Sequence, residues 1–394
     1  MMNACRVGGL IFIGATLCVS RLAEAQSGTR VPTDNPLASA QDSAVQAAAA
    51  VYMAYPGSVG LSVGVYRGGR AMVYNYGESI KGSGQLPRPD QLYNIGSVAK
   101  VFVGTMLAEA VVEKKVRLTD DIRRYLPGSY PNLEYQGHPI RLVDLANHTS
   151  GMPKSPREAP AAVMDSIGKL SWTEQLRFYL RYTQDSLLLD MHHFRIDTIP
   201  GTKYQYNGNA MLVLVVVLER IYHQPYEQLV TRYLRSHLHL FDTRTRIPLD
   251  QLHRVAQGYG DDGQAIQWFD STDHSHPDVN TLIFGAGGPS MNSTMADMMR
   301  FVEENLAERD PAIRLTHQLT WGDPNGFALG LNWMSDQYKD ERRFYHSGHA
   351  GIGFNTLVAL YPREQLGIVI FVNDDIDQDR VSEAERAIRG ALPN

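Results

Sequence analysis

The chain is expected to fold as an α+β protein: an antiparallel sheet flanked by helices and completed by both ends of the chain, with a mostly helical subdomain inserted between them. Three observations predict it. Residues 59–66 and 71–76 are runs of strand formers on either side of Arg67-Gly68-Gly69-Arg70, a hairpin pattern near the start. The last third carries four more strand-like runs, at 327–334, 343–346, 354–361 and 367–373. Between the two groups the apolar residues are spaced as in helices.

In order, residues 1–25 read as a secretory signal: Arg6, an apolar stretch over 8–19, then Ala23-Glu24-Ala25 as a small-x-small cleavage site before Gln26. The apolar stretch is too short for a bilayer span of ~20 residues, so no stable membrane anchor is expected after cleavage. The destination is the periplasm or the exterior. Residues 26–40, broken by Pro32 and Pro36, read as a flexible leader, and 40–52 as an Ala-rich helix. A Gly- and Pro-rich stretch, 82–89, leads to Ser97 and a buried helix over 101–112. Thr119-Asp120-Asp121 signals a helix start within 118–126, and 142–147 makes a short helix.

Ser171-Trp172-Thr173-Glu174 is a capping box opening a helix over 171–184. The continuous apolar run 211–218 extends through Tyr222, a length that favours a buried helix over a strand. Residues 225–240 follow as a helix, Gly285 to Pro289 form a glycine-rich crossing, and 294–306 is helical. Pro362-Arg363-Glu364-Gln365 turns one late strand into the next, and 381–392 closes the chain as a helix. The α/β part is thus expected at 41–115 and 285–394, and the helical part at 116–284.

Composition narrows the function. With 43% hydrophobic and 20% charged residues in 394, the chain can bury a sizeable core. The formal charge is −5, with no long basic run, which argues against nucleic acid as a partner. Losing Arg6, Arg21 and Glu24 with the leader removes a net +1 and leaves −6. Cys5 and Cys18, the only cysteines, lie in that leader. The mature chain therefore has no disulfide, thiolate nucleophile or cysteine-built zinc site. His192-His193 and His274-x-His276 lack the helical spacing of a metal pair, so neither metal nor cofactor is expected.

The chemistry centres on Ser97-Val98-Ala99-Lys100. A serine hydroxyl needs a base held against it, and a lysine serves only once its proton has gone. Free lysine titrates near ~10.4, and each unit of depression is worth about 1.4 kcal/mol, so a base working near neutrality needs burial or neighbouring charge. One helical turn puts the two side chains on the same face. Ser166-Ile167-Gly168-Lys169 repeats the pattern, but Gly168 interrupts a helix there, and Ser166 reads as a loop serine.

From these residues the chain resembles the serine β-lactamase and penicillin-binding protein superfamily, in its class C-like branch of β-lactamases, D-Ala-D-Ala carboxypeptidases, D-aminopeptidases and esterases. The likeness runs from about residue 40 to 390. Leu142-Val143-Asp144-Leu145-Ala146-Asn147-His148-Thr149-Ser150-Gly151-Met152 looks like the family's Leu-Leu-x-His-Thr-Ser-Gly stretch. Pro200-Gly201-Thr202-Lys203-Tyr204-Gln205-Tyr206 is similar to the approach to its Tyr-x-Asn motif. Gly285-Ala286-Gly287-Gly288 with Ser293-Thr294 resembles its glycine crossing, and His346-Ser347-Gly348 its His-x-Gly or Lys-Thr-Gly motif.

The resemblance implies that Ser97 is acylated, that Lys100 and Tyr206 exchange its proton, and that the backbone N–H groups of Ser97 and His349 form the oxyanion hole. Tyr204 is a rival to Tyr206, His349-Ala350-Gly351 an overlapping match to the third motif, and Tyr130-Pro131-Asn132 a literal Tyr-x-Asn read as a loop. The third place of the second motif is Gly208, flanked by Asn207 and Asn209 as stand-ins for the amide. His346, with Ser347 and Gly348, stands where many β-lactamases carry lysine, a weaker hold on a carboxylate. His148 reads as a loop-fixing residue, and Asp374 and Asp375 as a solvated turn. The implied activity is a secreted serine hydrolase of D-amino-acid peptides, esters or β-lactams, its substrate a small molecule or a cell-wall peptide. A class C-like β-lactamase and a slow penicillin-binding sensor or assembly protein are the alternatives.

Overall fold

Two glycines set one edge of the main sheet. Gly68 and Gly69 take φ of 55° and 79°, the left-handed pair that a two-residue hairpin requires, and join β1 (Gly60–Arg67) to β2 (Arg70–Gly77) with Arg67 opposite Arg70. The computed structural model describes residues 31–154, 166, 169–170, 182–267, 278–280 and 290–392. The remaining strands of the sheet come from the last third: β3 (Trp321–Gly322), β4 (Ala328–Gly330), β5 (Trp333–Tyr338), β6 (Glu341–His349), β7 (Asn355–Tyr361) and β8 (Leu366–Val372). Their order is β2-β1-β8-β7-β6-β5-β4-β3, every neighbour antiparallel. The early hairpin is therefore zipped onto the last strand, and one sheet is completed from both ends of the chain.

The described helices are α1 (Ala40–Met53), α2 (Ala99–Val112), α3 (Leu142–Ala146), α4 (Gln184–Met191), α5 (Gly208–Tyr222), α6 (Tyr226–Ser236), α7 (Met295–Ala307), α8 (Pro311–Thr316) and α9 (Gln378–Ala391). Ser39 and Asp42 form a reciprocal capping box at α1, and Thr294 caps α7. One face of the sheet packs Leu61, Val63, Ile368 and Ile370 against Val45 of α1 and Ile388 of α9. The other face packs Val358, Val369 and Phe371 against α7, and joins the larger core around α2 and α5. Covered on both sides, β7 and β8 are buried at every residue. That is why they read as unbroken apolar runs rather than alternating ones.

Helix α2 is buried on all sides from Ala99 to Ala108. It lies against α5 and α8, so no polar stripe was there to be read. Behind the sheet, Arg343 bridges Asp336 at 2.5 Å and Glu385 at 2.9 Å, and Tyr361 donates to Glu385 at 2.5 Å. This buried group ties β5, β6 and β7 to α9. Among the described residues no helix is long and apolar enough to cross a membrane.

Several expectations need correction. The single strand expected over 327–334 is two strands, because Leu331 and Asn332 take φ of 45° and 82° and turn the chain between Gly330 and Trp333. A leucine in the first turn position concealed the hairpin. The helix expected within 118–126 is one 3₁₀ turn, Ile122–Tyr125, capped by Asp121. Asp374 is not solvated: it is fully buried, accepting from Tyr52 Oη at 2.6 Å and Val59 N at 3.1 Å. The helix expected at 171–184 and the crossing at Gly285 to Pro289 lie almost wholly outside the described residues, as do His274 and His276; α4 begins at Gln184.

Candidate active site

Ser97 sits in a 3₁₀ turn, Gly96–Val98, that runs directly into α2. Such a turn eclipses side chains three residues apart. Lys100 Nζ accordingly lies 2.8 Å from Ser97 Oγ. The lysine is 3% exposed, and burial lowers its pKa from the usual 10.5 to about 7. Among the described residues its single hydrogen bond is the one to the serine. It is also 5.3 Å from the centre of the Tyr206 ring.

Backbone fit brings the end of β6 against the nucleophile. Gly96 has φ of 49°, and a Cβ there would stand 2.9 Å from the backbone N, C and O of His349. A Cβ on Gly348 would stand 2.2 Å from Ile95 O. Only paired glycines allow this approach. Thr356 Oγ1 holds the junction by donating to Ile95 O at 2.9 Å. No local pattern marks Thr356 or Gly96 for this duty, because their partners are remote in sequence.

Tyr206 is carried by a segment laid along His148 and Thr149: Gly201 N donates to Thr149 O and Gln205 N to His148 O, both at 2.8 Å. His148 Nδ1 is 3.1 Å from Asn207 N and 3.0 Å from Asn207 O, and its ring lies 4.5 Å from that of Tyr206. The His-Thr-Ser stretch thus fixes the loop and supports the tyrosine. Burial raises Tyr206 to about 12, with an opposing contact from the Ser97 hydroxyl. Tyr204 lies apart from the lysine, against Phe327 at 5.2 Å and Trp321 at 5.9 Å. Of the two tyrosines, the structure brings Tyr206 to Lys100.

The asparagines serve elsewhere. Asn207 Oδ1 caps α5 through Ala210 N at 3.2 Å, and its Nδ2 donates to Met152 O at 2.7 Å and Pro153 O at 3.1 Å. Asn209 Nδ2 also donates to Pro153 O, at 3.1 Å. Both side-chain amides are turned to the 152–153 loop, so neither takes the place beside Lys100 expected of the motif's amide. The physical reason is the helix start itself: α5 needs a cap, and Asn207 supplies it.

His346 is buried, and its Nδ1–H donates to Ser347 O at 2.7 Å, which leaves Nε2 as an acceptor. Burial and the Lys100 charge lower its pKa to about 4, and the same causes lower His148 to about 3. Both rings are neutral at pH 7. His349, by contrast, is exposed, and its Nε2 meets Asp375 Oδ1 at 2.6 Å. The other motif matches are structural: Asn132 Nδ2 donates to Met191 O at 2.8 Å, Tyr130 stacks on His192 at 4.3 Å, and Lys169 N turns back to Ser166 O at 3.3 Å. Among the described residues no three His, Cys, Asp or Glu side chains form a metal cluster.

A family model described as beta-lactamase matches residues 45–392. The chain belongs to the beta-lactamase family. Among relatives in this family of serine hydrolases, the D-alanyl-D-alanine-carboxypeptidase/endopeptidase AmpH of Escherichia coli K12 is 26% identical over 334 residues, 80% of each chain. A beta-lactamase of Lysobacter lactamgenus is 24% identical over 382 residues, covering 87% of this chain and 90% of its own. A solved beta-lactamase/D-alanine carboxypeptidase from Pseudomonas syringae superposes with a TM-score of 0.73 at 22% identity, over 90% of this chain and 100% of its own. A class C beta-lactamase reaches the same score at 19% identity, over 90% and 97%. These structures share the fold described above.

Proposed function

We propose that this member of the beta-lactamase family is an exported serine hydrolase that forms an acyl-enzyme on Ser97, with Lys100 as general base and Tyr206 as proton relay. The observation that carries the reading is the 2.8 Å contact between Ser97 Oγ and a buried Lys100 whose pKa falls to about 7. At neutral pH about half of the lysine is a free amine, able to take the serine proton as Oγ attacks a carbonyl carbon. Tyr206, raised to about 12, stays a phenol and donates its proton to the leaving group, recovering one from Lys100. The oxyanion is taken by the N–H groups of Ser97 and His349, held together by Gly96 and Gly348.

The substrate class is a D-amino-acid peptide, an ester or a β-lactam, with carboxypeptidase or esterase-like turnover favoured over dedicated β-lactam hydrolysis. Two features support this preference: His346 is neutral where a cation would grip a carboxylate, and the amides of Asn207 and Asn209 are engaged with the 152–153 carbonyls. The same engaged amides lend support to a slower, penicillin-binding role. Burst kinetics with p-nitrophenyl acetate test the proposal. One equivalent of p-nitrophenol per protein, lost in Ser97→Ala and kept in Ser166→Ala, is expected; a burst that survives Ser97→Ala would refute it. Export is tested by cleavage after Ala25 in the mature protein's N-terminal sequence.

A further inference from the structure

Arg141 and Asn147 flank the two ends of α3, with Asp144 between them, and a spacing of three residues sets all three on one side of that helix. With Trp321 they line a cavity of about 280 Å³ to which Ser97, Lys100, Tyr206 and His346 contribute nothing. At the ~30 Å³ that one water takes in the liquid, it has room for about nine or ten non-hydrogen atoms. Gly201 makes a further wall possible. Its φ is 90°, and a Cβ there would stand 2.5 Å from Arg141 Nη2 and 3.0 Å from Asp144 Oδ1. Trp321 Nε1 donates to Gly201 O at 2.8 Å, which fixes the indole against the same segment.

The polar groups of the lining divide unevenly. Both Asp144 oxygens are taken: Arg141 Nη2 donates to Oδ1 at 2.8 Å, and Arg141 Nε and N donate to Oδ2 at 3.0 and 2.9 Å. Asn147 Oδ1 accepts from Thr320 Oγ1 at 3.0 Å. What is left over is donors. Arg141 Nη1 and Asn147 Nδ2 meet no hydrogen-bond partner among the described residues, although Asn147 is only 1% exposed. A buried amide N–H left without an acceptor is costly, and this one belongs to the lining of a cavity. Leu118 and Val143 supply apolar wall beside the Trp321 ring.

We propose that this cavity is a second binding site, for a small organic acid with an apolar or aromatic body. Its carboxylate, ionised at neutral pH, is held by the unspent donors of Arg141 and Asn147 in charge-assisted bonds, and its body lies on Trp321, Leu118 and Val143. The site stands apart from the acyl-enzyme reading, since none of its residues is a group assigned there.

The test titrates isotope-labelled mature protein carrying Ser97→Ala with phenylacetate and, separately, with its neutral isostere phenylacetamide. The indole N–H resonances are followed by NMR, that of Trp321 being assigned from its loss in Trp321→Phe. A saturable shift of the Trp321 resonance is expected, with phenylacetate bound about tenfold or more tighter than the amide, as one charge-assisted bond supplies. Asn147→Asp keeps the shape, replaces the donor by a carboxylate, and should weaken phenylacetate by about tenfold or more. Thr119→Trp, at the exposed rim, fills the mouth without touching the core and should abolish binding; it decides the matter if Asn147→Asp fails to fold by circular dichroism. A Trp321 resonance unmoved at about 20 mM phenylacetate, above the Kd expected of so small a ligand, would overturn the proposal. So would equal affinity for the amide, or a shift that survives Thr119→Trp.

Discussion

Acylation by this chain should switch on with a single deprotonation near pH 7, and the lysine that governs it can be identified by substitution. Lys100 is lowered from 10.5 to about 7 by burial alone. At pH 7 roughly half of it is neutral, against roughly 1 in 3,000 for an unperturbed lysine, a gain of about 10³ in available base. The rate constant for acylation by p-nitrophenyl acetate, followed by stopped flow from pH 5 to 10, should rise with unit slope below about 7 and level off above. Lys100→Arg keeps a cation but supplies no base, and should lose about 10²–10⁴ across the range. The same shift affects stability. Below pH 7 both folded and unfolded chains hold the proton, and the folded state bears the full cost of a buried ammonium, about 5 kcal/mol. Between about 7 and 10.5 the unfolded chain binds more protons, so stability contributed by this group rises with pH through that window and is level beyond it. In Lys100→Met this pH-dependent contribution should vanish. A rate profile flat down to pH 5, or one with its midpoint above 9, would refute the assignment of Lys100 as base.

Three other perturbations separate the parts of the account. Tyr206→Phe should slow acylation about 10²–10³-fold, whereas Tyr204→Phe, which alters a side chain lying against Trp321 and Phe327, should change it by no more than about threefold; the same stopped-flow assay decides. Gly96→Ala should cost about 10²-fold or more in kcat, because its Cβ meets the His349 backbone at 2.9 Å and the residue sits at φ of 49°. Circular dichroism would show whether the fold survives. Glu385→Ala leaves Arg343 and Tyr361 without their buried partner and should lower unfolding stability by about 3–5 kcal/mol in urea titration, with acylation at 25 °C retained.

The parts of this fold that local rules govern were legible in the sequence. The Gly68-Gly69 hairpin, the Ala-rich helix from residue 40 and the apolar lengths of α5, β7 and β8 each follow from turn chemistry, helix propensity or coverage on both faces. The hairpin at Leu331-Asn332 was not, because a leucine at positive φ is held there by its surroundings and carries no turn signal. In the site, the three-residue spacing of Ser97 and Lys100 was sufficient to bring them together. Resemblance drew attention to Tyr206, while its support by His148 is a contact across 58 residues that no spacing rule reports. Asn207 was misread for a physical reason: as the first residue before a long apolar helix it was also the natural cap, and capping took the side chain. Asp374 and Asp375 followed a strand end and looked exposed; Tyr52, Val59 and Asn355, remote in sequence, enclose the first and fix the turn of the second.

The most direct test of the account is intact-mass spectrometry of the mature protein mixed with a fluorescent penicillin and, separately, with p-nitrophenyl acetate, sampled over time with the adduct mapped by peptide digestion. A covalent adduct of one acyl group per chain is expected on Ser97, forming more slowly at pH 6 than at pH 8. An adduct mapped to any other residue, or a chain that stays unmodified by both reagents at pH 8, would contradict it.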